Sequence, residues 1–365
     1  MATLPSYIIP ADRLRGIVAE IFAAAGCQRD EADRIGRFLV SSNLAGHDSH
    51  GVIRTPRYID WLREGKVLPG QTLTVVSESA MHATVDGNHG FGQTVGPLAV
   101  DMGIAKAKAA GMSVIALRRS GHIGRIGDWA ERAAEAGLVS IHFVNVAGGE
   151  LVAPFGGVDR RFSTNPFCVG IPSDGSKPML LLDMATSLVA EGKVLVASRG
   201  GKPLPDGSLV RPEGAFSTDP ETLYGPLTPE TPRDPANGEG ALVAFGLHKG
   251  SGLAFMCEIL AGVLTGGETS GPIPGGKRGR ISNGMLSIYL DPGHFGARDF
   301  VHKANAYADY VKASRPTTPG GDVLVPGEPE ARMRADRLAN GVPLQLDTWN
   351  SIVATARSLG VSTPN

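Results

Sequence analysis

Two histidines, a serine, a carboxylate and an arginine crowd between glycines in Gly46-His47-Asp48-Ser49-His50-Gly51-Val52-Ile53-Arg54, directly after an apolar helical run. An imidazole exchanges a proton near neutral pH, and a guanidinium clamps a carboxylate through two parallel hydrogen bonds. If Gly51 opens a new helix, His50 and Arg54 fall four residues apart on one face. That pairing sets an acid/base beside an anion anchor, which is what reduction of a 2-oxo acid needs. Histidine and arginine on a helix also occur as plain solvated residues, so the pair alone does not define a site. His47 and His50 have an H-x-x-H spacing that is half a metal site, but no third ligand follows at zinc-like spacing. No metal is therefore expected, and a metal hydrolase is disfavoured. Ser49 directly precedes His50 and no G-x-S-x-G elbow presents it as a nucleophile, which argues against a serine hydrolase.

Three further segments are built to hold phosphates or amides. Ser120-Gly121-His122-Ile123-Gly124-Arg125 lies between a strand end and a helix start, where free backbone N–H groups attract anions. Gly246-Leu247-His248-Lys249-Gly250-Ser251-Gly252 repeats that design, with Lys249 adding a point charge for substrate and His248 a contact for cofactor. Thr164-Asn165-Pro166 ends a glycine- and arginine-rich turn, and an Asn before a proline has a restricted, extended backbone. By contrast, Gly90-Phe91-Gly92-Gln93-Thr94-Val95-Gly96 only imitates a Rossmann loop. Its third glycine comes one position late, and no acidic residue ends a following strand. It reads as a glycine-rich turn capping a packed helix.

The elements that must position these residues alternate. Ala11–Gly26 and Asp30–Leu44 read as amphipathic helices, and Val52–Arg63 as a third carrying Arg54, Arg57 and Tyr58. Leu73–Val85 reads as a strand pair, Gln93–Ala110 as a long helix, Met112–Leu117 as a strand, Gly124–Gly137 as a helix and Leu138–Val146 as a strand. Short strands at Phe167–Ile171 and Met179–Asp183 follow, then a helix over Leu188–Ser198. Gly200–Gly240 lacks periodicity and holds eight prolines between Pro203 and Pro235, which points to a long ordered loop or flap. Helices are expected from His248 to Leu264, Phe300 to Ala313, Glu328 to Ala339 and Thr348 to Leu359, with a strand at Met285–Leu290. This pattern is an α/β layered core.

With 365 residues and 42% hydrophobic content the chain can bury a large core. No window approaches the roughly 18 uninterrupted apolar residues of a membrane span. A net charge of −1 without basic runs argues against nucleic acid as a partner. The first residues lack the basic and apolar regions of an export signal. Three widely spaced cysteines, Cys27, Cys168 and Cys257, read as buried thiols in a reducing cytoplasm.

Taken together, the segments resemble the malate/L-lactate dehydrogenase family that lacks a Rossmann domain, a group that includes ureidoglycolate dehydrogenase, sulfolactate dehydrogenase, diketogulonate reductase and piperideine-2-carboxylate reductase. The matching stretches are Gly46 to Gly51, Ser120-Gly121-His122 through Gly124-Arg125, Pro154-Phe155-Gly156-Gly157, Ser163-Thr164-Asn165-Pro166, Asp183-Met184-Ala185-Thr186-Ser187, Gly192-Lys193, His248-Lys249-Gly250 and Pro326-Gly327-Glu328. They occur in the family's order and cover nearly the whole chain. The resemblance implies an NAD- or NADP-dependent oxidoreductase for 2-hydroxy or 2-oxo acids, or for the cyclic imine equivalent. A homodimer is implied too, with mixed sheets flanked by helices and a cofactor domain unlike Rossmann.

On that basis residues 1–365 form one catalytic unit. Residues 1–75 with 285–365 would make the helical, dimerising and substrate part, and 76–284 the cofactor part. His50 would be the proton donor, oriented by Ser49 and Asp183, although some members give that role to the histidine matching His122. Arg54 and His47 would hold substrate. Cofactor contacts would map to His122, Ile123, Gly124, Arg125, Ile126, Thr164, Asn165, Pro166 and the Pro326-Gly327-Glu328 turn. Two departures bear on substrate identity. Gly246-Leu247 replaces the usual paired glycines, and Gly200–Gly240 is longer than in typical members. A non-catalytic metabolite-binding relative is the alternative from another class.

Overall fold

The computed structural model describes residues 6–198, 202–228, 233–271, 280 and 282–363. In chain order the elements are β1 (Ser6–Ile9), α1 (Ala11–Ala24), α2 (Arg29–Leu44), α3 (Thr55–Arg63), β2 (Thr74–Glu78), β3 (His82–Asp86), α4 (Gly92–Ala110), β4 (Met112–Ser120), α5 (Gly127–Glu135), β5 (Val139–Ala147), β6 (Val152–Ala153), β7 (Phe167–Ile171) and β8 (Leu180–Met184). There follow α6 (Glu191–Ser198), β9 (Leu209–Val210), β10 (Phe216–Ser217), α7 (Glu221–Tyr224), β11 (Ala241–Val243), α8 (His248–Cys257), β12 (Ser282–Leu290), α9 (Phe300–Lys312), α10 (Glu328–Asn340), β13 (Val342–Gln345) and α11 (Leu346–Ser358).

The main sheet has seven strands in the order β2-β3-β4-β12-β5-β7-β8. Only β3 and β4 run parallel, joined over α4; every other neighbouring pair is antiparallel. A doubly wound nucleotide fold is parallel throughout its centre, so this sheet is a different architecture, as the mixed α/β class implies. Alternating burial along β5 and β4 puts one row of each strand into a core shared with α4 and α5, including Val85, Leu117, Trp129, Val144 and Tyr289. A second core joins α1, α2, α3 and α11 to the small β1–β13 pair, with Leu14, Phe22, Leu39, Tyr58 and Ile352 inside. A third fills the four-stranded sheet β10-β9-β11-β6 beneath α6, α7 and α8.

Several expectations are corrected. Within Gly200–Gly240 the described residues are not one loop. They build β9, β10 and α7, because Leu204, Leu209, Leu223 and Tyr224 bury their side chains there; residues 200, 201 and 229–232 lie outside the described residues. The helix expected from Gly124 begins only at Gly127, since Gly124 has a left-handed backbone (φ 78°) that ends regular structure before it. The helix expected at Leu188 starts at Glu191. The helix from His248 changes to wide π turns over Glu258–Val263. β1 and β13 lay beyond the sequence reading, being four residues each, with Pro343 inside β13.

Candidate active site

The His50 turn hangs from the end of α2. Two single 3-10 turns, Asp48–His50 and Val52–Arg54, are separated by an extended Gly51 (φ −85°, ψ −154°). The continuous helix that would place His50 and Arg54 on one face therefore does not form. The break is Gly51, extended where a helix needs αR, and Asn43 holds that bend from behind: its Oδ1 accepts the Val52 N–H at 2.9 Å and its Nδ2 donates to Asp48 Oδ1 at 2.6 Å. A Cβ at position 51 would stand 2.3 Å from Asn43 Oδ1, so any other residue there must displace the Asn43 amide. In this bent frame Ser49 Oγ contacts His50 Nδ1 at 3.0 Å, and Arg54 Nε donates to Ser49 O at 2.6 Å.

A second imidazole meets the first. His122 lies in the loop between β4 and α5, and its ring stacks on His50 with centroids 5.5 Å apart and planes 20° apart. The glycine-rich stretch before α4 explains how this loop comes so close: a Cβ at Gly92 would lie 2.4 Å from His122 O. The imitation of a nucleotide loop is thus a close backbone contact behind the site. Tyr58 OH sits 2.5 Å from His122 Nδ1, and Gln93 Nε2 donates to Tyr58 OH at 3.3 Å. Neither Tyr58 nor Gln93 was assigned a role from sequence. The available signal was Tyr58 four residues beyond Arg54, at the start of α3.

Burial holds both rings neutral. For His122 burial and then the Arg54 charge push the pKa down to about 3. For His50 burial, His122, Arg54, His47 and Arg125 together hold it well below the usual imidazole value. Burial also raises the Tyr58 phenol to about 12, with Arg54 pulling the other way. The proton between Tyr58 and His122 therefore stays on the phenol. Tyr58 O–H donates to Nδ1, which leaves the proton of the neutral ring on Nε2.

A cavity of about 580 Å³ opens beside this pair, lined by His47, Ser49 and His50 from the turn, by Gly124, Arg125 and Ile126, by Thr164 and Pro166, and by Asp183 and Lys193. Arg125 is fully buried. Its Nη1 meets Asp128 at 3.1 Å and its Nη2 meets Glu131 at 2.9 Å, while Nε has no hydrogen-bond partner among the described residues. Burial pushes the Asp128 carboxyl up to about 6 against the pull of Arg125. Asp183 accepts the Gly127 N–H at 2.8 Å and faces Arg125 Nε at 3.7 Å. Both contacts are made by Oδ2, so this oxygen serves Arg125 and the start of α5, while the residue shares the cavity lining with His50. His47 turns its Nε2 to Glu330 Oε1 at 3.5 Å.

Arg54 and His122 stand behind His50 and are not among the lining residues, and the remaining candidates lie elsewhere. Ile123 and Asn165 are buried behind the wall. His248 and Lys249 are exposed at the start of α8, with His248 edge-on to Phe155 at 5.8 Å, away from the cavity lining. Pro326 and Glu328 line a separate cavity of about 250 Å³, and Gly327 packs so tightly that a Cβ would reach 2.3 Å from Met179 O. Lys193, on the wall, was not singled out as a site residue. Among the described residues no three His, Cys, Asp or Glu side chains gather as metal ligands.

Residues 9–353 match the malate/L-lactate dehydrogenase family. Hydroxycarboxylate dehydrogenase B of Escherichia coli (strain K12) is 41% identical over 352 residues, covering 96% of this chain and 94% of the relative. The solved malate dehydrogenase of Pyrococcus horikoshii OT3 superposes with a TM-score of 0.85 at 27% identity, covering 100% of this chain and 99% of that one. The delta1-piperideine-2-carboxylate reductase of Pseudomonas syringae pvar. tomato does so with a TM-score of 0.80 at 29% identity, covering 96% and 100%.

Proposed function

The chain belongs to the malate/L-lactate dehydrogenase family, and from that premise we propose that it moves a hydride between NAD or NADP and C2 of a small 2-hydroxy or 2-oxo acid. The observation that carries this reading is the stacked pair of neutral imidazoles, His50 and His122, held between Ser49, Tyr58 and Arg54. The cavity beside them, about 580 Å³, falls in the size range of small-molecule sites, roughly 300–1,000 Å³. Its wall also carries polar groups able to meet a nucleotide: Arg125, Thr164 and Lys193. Gly124, Arg125, Ile126, Thr164 and Pro166 would hold the dinucleotide, which supplies or accepts the hydride when bound.

The protein's own part is charge and proton management. Arg54 anchors the substrate carboxylate, and His50 exchanges the proton of the C2 oxygen, with His122 as the other candidate. A neutral imidazole is ready to take that proton as the hydroxy acid is oxidised. In the opposite direction it must first be charged, and the bound carboxylate helps. It cancels the Arg54 charge that lowers both rings, so substrate binding favours proton uptake. Asp183 acts through Arg125. Lys249, His248 and the Pro326–Glu328 turn lie outside this cavity's lining. Pairing with a second copy belongs to the same proposal, supported by the apolar side chains Phe255, Met256, Ile259 and Val263 exposed along one side of α8 and its continuation.

The test is loss of reduced-nicotinamide absorbance with a panel of 2-oxo acids and a cyclic 2-imino acid. The imino acid belongs in the panel because of the reductase neighbour. His50→Ala should lower turnover at least about 100-fold while nucleotide binding, read by fluorescence, persists. Unchanged turnover would pass the role to His122. A wild-type protein that consumes no reduced nicotinamide with any member would favour a non-catalytic binder instead.

A further inference from the structure

A row of buried amides crosses the main sheet behind the cavity wall. Asn283, in β12, accepts the Ile123 N–H on Oδ1 at 2.9 Å and donates Nδ2 to Asn145 O at 2.7 Å. Asn145, beside it on β5, accepts the Gly284 N–H on Oδ1 at 3.1 Å and donates Nδ2 to Glu258 Oε2 at 3.0 Å and to Glu268 O at 2.7 Å. Glu258 Oε1 then accepts Asn165 Nδ2 at 2.8 Å. Ile123 directly follows His122, and Asn165 stands between the wall residues Thr164 and Pro166. The row therefore ties together two segments of the cavity wall that are distant in sequence.

Glu258 is its hub. It is only 5% exposed, and among the described residues no cation faces it. Each of its oxygens instead takes two donors: Oε1 accepts Asn165 Nδ2 and the Ser270 hydroxyl (2.7 Å), and Oε2 accepts Asn145 Nδ2 and the Ser270 N–H (2.9 Å). A buried carboxylate is retained only when its acceptor capacity is filled in this way. Glu258 also opens the wide turns over Glu258–Val263, a helix irregularity frequent at functional sites. Those turns press Ala261 O against Gly284, where a Cβ would lie 1.9 Å away. Beside that contact the β12–β4 register shifts between Asn283 and Met285. Helix irregularity and strand irregularity interlock at the one place where the asparagines meet. Asn165, expected to be extended before Pro166, instead has a positive φ of 28°, a backbone that needs such a restraint.

We propose that Glu258 is a positioning residue: through Asn145 and Asn283 on one side and Asn165 on the other, it sets the separation of the His122 loop from the Thr164–Pro166 corner. Only its kinetic consequence rests on the dinucleotide reading, since the bound cofactor would touch both segments.

Two variants separate this role from general stability. In Glu258→Gln one acceptor becomes a donor. The Ser270 hydroxyl can rotate to accept from it but the Ser270 N–H cannot, so the new NH2 settles against Asn165 Nδ2. Asn165 cannot turn its amide in response, because Oδ1 would then face Ala254 O, to which Nδ2 now donates. Glu258→Gln should therefore release the corner and spare the Ile123 link, whereas Glu258→Ala should release both.

Amide hydrogen exchange on the full chain reads this out. Exchange should quicken at 163–167 in Glu258→Gln with 121–126 as in wild type, and in both segments in Glu258→Ala. The KM for the nicotinamide dinucleotide should rise about tenfold in Glu258→Gln, with kcat held to within about threefold. A lower melting temperature with wild-type exchange in both segments would overturn the proposal, as would equal loosening of both segments in Glu258→Gln. If Glu258→Ala does not fold, Glu258→Gln decides alone. If the wild-type protein binds no dinucleotide, the exchange measurement still decides and only the functional reading falls.

Discussion

At the scale of single residues the site is a chain of polar and ring contacts in which the Tyr58 proton has a defined place. Gln93 donates to Tyr58, Tyr58 donates to His122 Nδ1, and His122 stacks on His50, which is in turn fastened to Ser49. Both rings have folded-state pKa values below the ordinary imidazole value near 6.5. The linkage sign follows: their contribution to stability is complete above about pH 6.5 and is lost as pH falls through the lowered values. Oxidation of the hydroxy acid needs the neutral ring. The kcat/KM profile for oxidation should therefore stay level from pH 8 to below pH 6.5, and a fall centred near 6.5 would contradict a neutral imidazole at the site. Tyr58→Phe removes the donor that keeps the His122 proton on Nε2. It should lower kcat about tenfold without bringing an imidazole-like inflection into that profile.

At the scale of elements, α10 holds the catalytic turn from outside. Glu330, Arg334 and Arg337 recur at helical spacing and reach His47, Glu131 and Asp48 respectively. Arg337, only 7% exposed, forks onto Asp48 with Nη1–Oδ1 2.6 Å and Nη2–Oδ2 3.0 Å, and it also caps the Asn43 carbonyl. Asp48 and Asn43 brace the two ends of the His50 turn. From the other side α6 closes on it, where Gly192 lets the helix approach so near that a Cβ would lie 2.7 Å from Ser49 Cβ. Arg337→Met keeps the apolar stem and removes the fork. It should destabilise the fold by about 1–3 kcal/mol, measured by denaturant midpoint, and lower turnover about tenfold, with partial recovery in Arg337→Lys. Wild-type turnover in Arg337→Met would mean that Asn43 alone holds the turn.

At the scale of the whole molecule, the cavity lies where separately packed regions meet. α2 and the His50 turn come from the helical core, Arg125 and Asp183 from the main sheet and its helix, and Lys193 from the region over the smaller sheet. Ligand sites favour such junctions because each side can be rigid on its own account. The exposed apolar side of α8 is a feature a single chain leaves unexplained; Phe255 and Met256 are 50% and 51% exposed. With a second copy over that side, sedimentation should give twice the 38.0 kDa chain mass, and Phe255→Glu should shift the particle toward that single mass. A wild-type particle of 38.0 kDa would remove the dimer from the proposed function.

Much of this was legible from residue order alone. Long periodic segments such as α1, α2 and α4 announce themselves because hydrophobic spacing is a local property. The crowding of His47, Ser49, His50 and Arg54 is local as well, and the order of short motifs along the chain pointed to the family. Tertiary structure decided the rest, since the deciding partners are far apart in sequence. Gly51 stays extended where spacing predicts a helix, with Asn43 bracing both sides of it; Tyr58 comes to His122, and Gln93 to Tyr58, from other elements; Asp183 Oδ2 turns to Gly127 and Arg125; and Glu258 gathers donors from Asn145 on β5 and from Asn165 and Ser270 in loops. Spacing along a chain can place side chains on one face of one element. It cannot say which buried donor meets which buried acceptor, because that pairing is settled by the packing that removes them from water.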